Sequence, residues 1–529
     1  MKLYNYISAA FIFAGVAVGC TKLDTEPLGS TVTSTQKQEV VAANPSMVSA
    51  SVSGITAMFS VYMNVTGSRH NDFGYPSIML FMDTRGTDLV GLDIGYNWFG
   101  YGLDMMSDHR YTSLITETVW GTLYNQIYTA NQVVSIMDPN TEDSVAQYYL
   151  AQALAIRAFD YFNLAQIYQH TYKGHESKPC VPLILDTNAS QVAAEGCARN
   201  TVQEVYDQIL KDINKAVELL EKTSETRPDK RYVNLAVAKG IRARVELVMQ
   251  DYAAALKDAS DVIASGEATP KPMDEAKKPT FKDMTEEDWL WGISIAETDR
   301  VVTSGIVNWP SHMGSLNYGY ASVGAWRMVN KKLYNSIPAS DIRKGWFLDG
   351  DSMSANLTAE QQAYVIENSI PGYAQVKFAP YKDELYTSTN ANDIPLMRIE
   401  EMYLIKAECE AQTDDAAAAA TTLAGLVATY RDPEFSVSAS KTALLNEIAF
   451  QRRVELWGEG LTYFDILRYN KGFDRRGGGF EENFVFVIQP EDPILIYQIP
   501  NAEIQANKLI SEADNNPGAT TPTPVPDEA

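Results

Sequence analysis

The sequence has little of what metal sites, disulfide scaffolds and nucleic-acid-binding surfaces require. Its 529 residues include only four cysteines and five histidines, too few for a metal-rich protein or a disulfide-stabilised scaffold. Lysine and arginine number 43 against 67 aspartates and glutamates. The resulting net charge of -24 repels phosphate backbones and argues against nucleic acid as a partner. No segment contains 18 consecutive apolar residues, so the sequence predicts no membrane-spanning helix.

Motifs of catalysis are missing as well. The sequence contains no nucleophile elbow, phosphate-binding loop or HExxH motif. His170 and His175 are five residues apart, a spacing that does not place two zinc ligands on one helix face. We therefore predict no catalysis, no cofactor and no metal. Calcium bound by Asp83 and Asp88 is an alternative, although the spacing of a calcium-binding loop is absent.

The first 20 residues have the pattern of a lipoprotein signal. Lys2 provides a positive charge, and residues 7–18 form an apolar run that is shorter than the roughly 20 residues of a membrane-spanning helix. The run ends in Ala17-Val18-Gly19-Cys20, which resembles the lipobox of bacterial lipoproteins, with Ala17 where leucine is more usual. We predict a signal peptide at 1–19, lipidation of Cys20 and a tether over 20–45. An ordinary signal peptide is the alternative.

Three cysteines remain after Cys20. Cys180 and Cys197 bracket a loop-like stretch, and the sequence does not decide whether they form a disulfide in an oxidising compartment. Cys409 lies inside a helical pattern, which is typical of a small buried hydrophobic residue.

Helical periodicity dominates residues 46–270. Apolar residues recur at helical spacing from Trp120 to Val134, and residues 148–168 carry a stripe of mostly small side chains that lets another helix approach closely. A capping box at Thr201 and Glu204 predicts the start of a third helix. Residues 234–265 predict a pair of helices, of which the second begins like the second helix of a tetratricopeptide repeat.

Residues 271–395 differ from the segments on either side. Prolines recur there among glycine, serine, asparagine and aromatic residues, which predicts a loop-rich variable insertion. Helical patterns return in residues 396–512, at 396–412, in an alanine-rich segment up to 429, and at 441–458. Residues 513–529 are rich in proline and threonine and predict a disordered tail.

Several short motifs occur in a fixed order along the mature chain. They are Leu23-Asp24 with Pro27; Trp120, Tyr124, Ile127 and Asn131; Arg398, Glu401, Leu404, Ala407 and Glu408; Arg452-Arg453, Glu455-Leu456, Glu459-Gly460, Phe464-Asp465 and Arg468; and Ile499-Pro500, Glu503-Ile504, Asn507 and Asn516-Pro517-Gly518. This ordered set resembles the RagB/SusD family of bacterial outer-membrane nutrient-binding lipoproteins.

The resemblance implies a mostly α fold, in which tetratricopeptide-like helix pairs form a superhelix and a loop-rich insertion packs across it. It also implies a lipid-anchored protein of the outer membrane that faces the cell exterior. The implied partner is a SusC-like TonB-dependent transporter, to which the protein delivers its ligand. An oligosaccharide is the ligand we expect, and an oligopeptide is the alternative.

One cluster of charges invites a catalytic interpretation. Glu455 and Glu459 are four residues apart, and such like-charge spacing can raise a carboxyl pKa. However, Arg452, Arg453 and Arg468 lie in the same short stretch and balance the charges of Glu455, Glu459 and Asp465. We therefore predict a structural network of ion pairs that fixes the last helices.

Two aromatic loop segments are the candidate ligand site, because flat aromatic rings and hydrogen-bonding side chains suit sugars. We call residues 71–101 the early segment and residues 309–326 the insertion segment. The candidate ligand-binding residues are Asp72, Arg85, Tyr96, Asn97, Trp98, Tyr101, Trp309, Tyr318, Tyr320 and Trp326. The alternative is that these aromatic residues form local core for irregular segments.

Two other classes of function compete with this hypothesis. A secreted all-α glycosidase needs two carboxylates roughly 5–10 Å apart across an open cleft. A pure interaction scaffold binds a protein in the grooves between its helix pairs and has no small-ligand pocket.

Overall fold

The structure is a computed structural model that describes residues 34–63, 65–66, 70–95 and 97–528. The predicted signal peptide at 1–19 and the predicted lipidation site Cys20 lie outside the described residues. Among the described helices, none combines the length and the apolarity needed to cross a bilayer.

Ten α-helices build the amino-terminal part of the fold within the described residues. They are α1 Ser34–Ala43, α2 Ser49–Ala57, α3 Tyr75–Arg85, α4 Met106–His109, α5 Leu114–Val134, α6 Ser144–Tyr168, α7 Ala189–Glu195, α8 Val202–Lys222, α9 Leu235–Met249 and α10 Tyr252–Ala264. Helices α5, α6, α8, α9 and α10 pack in succession as antiparallel neighbours. The predicted capping box is confirmed at the start of α8, where Thr201 and Glu204 bond each other's backbone amides.

Helix α6 is the centre of this helical layer. The predicted small-residue stripe is buried, with Ala151 and Ala158 at 0% exposure. Because these side chains are short, α6 lies between α5 on one side and α8 on the other.

The insertion contains short helices and strands. Its helices are α11 Met273–Ala276, α12 Arg300–Thr303, α13 Trp309–Met313, α14 Lys331–Ser336 and α15 Ala359–Glu367. Three antiparallel pairs of strands occur in the described residues: β1 Leu89–Val90 with β3 Met328–Val329, β2 Trp289–Ile293 with β4 Ile394–Arg398, and β5 Phe473–Asp474 with β6 Val487–Ile488.

The carboxy-terminal helices complete the helical layer. They are α16 Ile399–Gln412, α17 Ala416–Tyr430, α18 Lys441–Glu455, α19 Thr462–Tyr469 and α20 Asn501–Ala506. Helix α16 packs against α10, although the whole insertion separates them in the sequence. The pairing of β2 with β4 brings the chain back to this point, so the mostly α fold with an inserted loop-rich region is confirmed.

Both ends of the described chain are more ordered than the sequence predicts. The predicted tether becomes helical at residue 34, and Gln38 on α1 donates to the Ser135 carbonyl at 2.9 Å. In the predicted disordered tail, the buried Asn516 amide donates to the carbonyls of Tyr168 and Tyr497 at 2.6 and 2.7 Å. Polar side chains therefore hold both segments to the body of the fold.

Asp83 at the end of α3 is a buried acid that connects α3 to the loop after α18. Its side chain is 3% exposed, and one carboxyl oxygen accepts a hydrogen bond from the Gly460 amide at 3.0 Å. Gly460 has φ +75° and lies so close to Met79 that a Cβ atom would approach the Met79 Cβ to 2.6 Å. Burial raises the pKa of Asp83 to about 8, so the carboxyl is protonated at neutral pH.

Replacement of Asp83 by asparagine is expected to flatten the dependence of stability on pH. An unfolded aspartate has a pKa of about 3.9, so between that pH and about pH 8 the folded state binds more protons than the unfolded state. The free energy of unfolding therefore falls as pH rises through this window, by up to about 1.4 kcal/mol per pH unit for one group. Urea unfolding at several pH values should show a shallower slope for Asp83→Asn. The exposed Asp351→Asn is the control, and equal slopes for Asp83→Asn and the parent would refute the assignment.

Candidate functional site

The early segment and the insertion segment meet on one side of the molecule. Leu89 of β1 pairs with Val329 of β3 in an antiparallel ladder. Beside this ladder, the Arg327 guanidinium donates to the Asn97 side-chain oxygen at 2.9 Å. Because Arg327 and β3 directly follow the insertion segment, this segment and the early segment, more than 200 residues apart in the sequence, form one continuous surface.

Four aromatic side chains lie at this junction, and we call them the aromatic patch: His70, Trp98, Tyr101 and Tyr320. The His70 imidazole stacks on the Trp98 indole, with ring centroids 4.3 Å apart and planes inclined by 9°. The Tyr320 ring meets His70 edge-on at 5.6 Å, and its hydroxyl hydrogen-bonds with His70 Nδ1. Tyr101 is 48% exposed and Trp98 is half-buried, so part of the patch is open to solvent.

Two cavities flank the patch, and Trp98 and Tyr101 line both of them. The first cavity has a volume of about 430 Å³, and its other lining residues include Asn71, Ser107, Arg110 and Ser113. The second cavity has a volume of about 370 Å³, and its other lining residues include Asp93, Asn97, Asp104 and Ser107. Both volumes are typical of sites for small ligands.

Burial favours the uncharged form of the histidines in this region. Burial lowers the pKa of His70 below its ordinary value. His312 stacks on the inner side of Tyr320 at 4.5 Å, and burial, with a contribution from nearby Arg327, holds the pKa of His312 well below its ordinary value. The patch is therefore a neutral aromatic surface, which suits the apolar C–H face of a sugar ring.

Two protein-family models match the sequence. The model described as starch-binding associating with outer membrane matches residues 96–247, which contain Trp98, Tyr101 and Arg110. The model described as SusD family matches residues 351–518. The chain belongs to the SusD/RagB family.

Solved structures of SusD-like proteins share the fold of this SusD/RagB chain. A SusD-like carbohydrate-binding protein from Bacteroides vulgatus is 22% identical with a TM-score of 0.72, over 88% of this chain and 97% of that one. A SusD superfamily protein from Bacteroides thetaiotaomicron is 21% identical with a TM-score of 0.71, over 89% and 99%. A laminarin-binding SusD-like protein is 19% identical with a TM-score of 0.60, over 89% and 99%. At these identities the similarity shows the fold alone. Among curated proteins, no sequence matches this chain.

Three predicted ligand residues of the SusD/RagB chain are buried and make contacts within the fold, and their contact with ligand stays a prediction. Asp72 is fully buried and accepts hydrogen bonds from two backbone amides of the preceding loop at 2.9 Å. Arg85 is also fully buried and forms an ion pair with Asp108. Trp309 is 3% exposed and packs edge-to-face on Phe378, with ring centroids 4.9 Å apart. These side chains stabilise the fold beneath the patch.

The other predicted residues lie at or near the surface junction. Asn97 is buried and orients the loop through its bond to Arg327. Tyr318 and Trp326 are half-buried on the insertion side, where Trp326 packs on a small hydrophobic cluster. Tyr96 lies outside the described residues. Their contact with ligand stays a prediction.

Sequence reasoning missed several residues of the site. His70 precedes the early segment, and Arg110 and Ser113 follow it, while Asn71 lies within the early segment but was not among the candidate ligand residues. Ser113 caps the amino end of α5 by accepting from the Ile115 amide at 3.2 Å. A serine directly before a helical pattern is a readable capping signal, but it does not reveal that the helix begins at a cavity.

Glu455 and Glu459, the two carboxylates that suggested catalysis, belong to a buried network of ion pairs. We call this network the ionic core: Arg398, Glu400, Arg431, Glu455 and Glu459. Arg398 is 2% exposed and donates to Glu455 at 3.0 Å and to Glu459 at 2.8 and 2.9 Å. Arg431 donates to Glu455 at 2.8 Å and to Glu400 at 2.7 Å. Although burial favours the neutral acid, Arg431 and Arg398 hold the pKa of Glu455 well below its ordinary value.

A second buried network joins the last helices. Asp465 accepts from Arg452 at 2.7 Å and from Arg468 at 2.6 Å, and Arg468 also pairs with Glu408 on α16. All of these side chains are at most 9% exposed. In this SusD/RagB chain the Arg-rich motifs therefore stabilise the packing of α16, α18 and α19.

Proposed function

We propose that this SusD/RagB protein is a cell-surface lipoprotein that binds a nutrient oligosaccharide without cleaving it. The bound oligosaccharide is then delivered to a SusC-like TonB-dependent transporter of the outer membrane. The main support for oligosaccharide binding is the aromatic patch, in which half-buried Trp98 stacks on His70 between two cavities.

The chemistry of the patch favours a sugar. One face of a pyranose ring is an array of C–H bonds that packs on an aromatic ring, and its rim of hydroxyls needs hydrogen-bonding partners. Trp98 and Tyr101 provide the rings, and Asn71 and Ser107 provide polar groups in the adjoining cavities. Two cavities on either side of the patch match an oligomer better than a single sugar.

The comparisons support an oligosaccharide over an oligopeptide. One matching family model is described as starch-binding, and two structures with the same fold are named as carbohydrate-binding and laminarin-binding. Delivery to an outer-membrane transporter is supported by the predicted lipoprotein signal that ends at Cys20 and by the association with the outer membrane in the family description.

Two carboxylates line the second cavity, and a glycosidase would have to use them. Asp104 accepts hydrogen bonds from the Met106 and Ser107 amides and from the Ser107 hydroxyl, all at the start of α4. Because both carboxyl oxygens of Asp104 are engaged by its own turn of the chain, the carboxyl is poorly placed to protonate a glycosidic oxygen. This arrangement supports a binding protein over a glycosidase.

Calorimetric titration of the full-length chain in mild detergent tests the proposal. Panels of oligosaccharides and of unmodified oligopeptides are titrated, and each glycan that binds is assayed for release of new reducing ends. We expect saturable binding of one class of glycan and no release. Binding of peptides alone would favour the oligopeptide alternative, and release of reducing ends would favour the glycosidase.

A further inference from the structure

The first cavity is positively charged, although the protein as a whole carries a net charge of -24. Arg110 is the only charged side chain among the described residues that line this cavity. It is exposed, and within the described part of the chain it forms no ion pair. An unpaired guanidinium in a concave site is a ready partner for an anion.

The amino end of a long helix lies in the same cavity. Residues Thr112 to Ile115 line it, and they lead into the 21-residue helix α5. The backbone amides of the first turn and the helix dipole favour a negative charge at this end. Glu117, the acidic residue of the first turn, is not among the lining residues.

A buried amide in the cavity has an unused hydrogen-bonding atom. Asn71 is 3% exposed, and its side-chain nitrogen donates to the Trp98 carbonyl at 3.0 Å. Its side-chain oxygen has no partner among the described residues. A buried acceptor without a donor is costly, and a ligand hydroxyl would satisfy it.

The second cavity has the opposite charge. Its charged lining residues in the described chain are Asp93 and Asp104. The two sides of Trp98 and Tyr101 therefore differ in sign, and an anionic group on a bound oligomer is directed to the Arg110 side.

We propose that the first cavity binds the carboxylate of an acidic sugar residue. Arg110 and the amino end of α5 hold the carboxylate, the Asn71 oxygen accepts from a hydroxyl, and the sugar ring packs on Trp98 or Tyr101. This inference rests on the proposed function and names its ligand class as uronate-containing oligosaccharides. Arg110 is then the residue that determines specificity for charged over neutral glycans.

Matched pairs of glycans test this proposal. Oligomers of galacturonate, glucuronate and mannuronate are each titrated beside the methyl ester of the same oligomer, which differs only in lacking the charge. For at least one pair, we expect the acid to bind at least about tenfold more tightly than the ester, which corresponds to one charge-assisted hydrogen bond. Added salt should weaken binding of the acid and leave the ester unaffected.

Two arginine variants test whether Arg110 causes the preference for the acid. Arg110→Gln should reduce the preference for the acid over its own methyl ester to about twofold or less. Arg300→Gln removes the same charge from an exposed arginine that lines a different cavity, and it should keep the preference. Neutral glycans that bind without any preference for acids would overturn this inference and leave the proposed function standing. If neither charged nor neutral glycans bind, both this inference and the proposed function are overturned. Acid preference that survives Arg110→Gln would also overturn the assignment.

Discussion

Replacement of Trp98 by alanine is expected to weaken oligosaccharide binding by at least about 30-fold. Trp98 lines both cavities and stacks on His70, so its indole is the central ring of the aromatic patch. Central aromatic residues of binding sites typically contribute about 2 kcal/mol or more on truncation to alanine, and 2 kcal/mol corresponds to about 30-fold in affinity. Calorimetric titration of Trp98→Ala and of the parent with the same glycan measures the change.

Two further variants separate stacking from general damage. Trp98→Phe keeps a flat ring and should retain part of the affinity that alanine loses. Tyr128→Ala removes an aromatic side chain that is 60% exposed on the far part of α5, and it should bind as the parent does. Unchanged affinity in Trp98→Ala, with the fold intact by circular dichroism, would show that the glycan binds elsewhere.

Replacement of Arg398 by methionine is expected to destabilise the protein by about 3–5 kcal/mol. The guanidinium of Arg398 donates to the buried carboxylates of Glu455 and Glu459, which are 1% and 7% exposed. After its removal Glu455 keeps Arg431 and Glu459 keeps Lys377, but both buried carboxylates lose a positive partner, which is far more costly than the loss of an exposed ion pair. Urea unfolding followed by circular dichroism measures the loss.

An exposed arginine provides the matched control. Arg476 pairs with Asp474, and both side chains are 38% exposed. Arg476→Met should therefore change the free energy of unfolding by only about 0–1 kcal/mol. A similar small loss for Arg398→Met would contradict the structural role of the ionic core.

The helical part of the fold could be predicted because its signals are local. The stripe on α6 and the capping box at Thr201 follow from spacing within one helix, and the structure confirms both. The packing of α10 on α16 could not be predicted from local spacing, because the whole insertion separates these two helices in the sequence. The ion-pair network was predicted from charge balance. Its partners Arg431 and Glu400 lie in other segments of the sequence, so the prediction did not include them.

The candidate site was predicted as two regions, and the structure brings these regions together through β1 and β3. Individual ligand-binding residues were harder to predict, because the type of a side chain does not show whether the fold buries it. Arg85 and Trp309 resemble ligand residues in the sequence, yet both lie under the surface. Arg110 was missed because its importance comes from the cavity formed by the aromatic patch and the start of α5, which no sequence pattern shows.

The most direct test of the account is a crystal structure of the full-length chain with the oligosaccharide that binds most tightly in calorimetry. The account predicts a sugar ring packed on Trp98 or Tyr101, with the oligomer extending into the first cavity towards Arg110. A glycan bound away from the aromatic patch, for example in the polar cavity beside Tyr148 and Lys239, would contradict it.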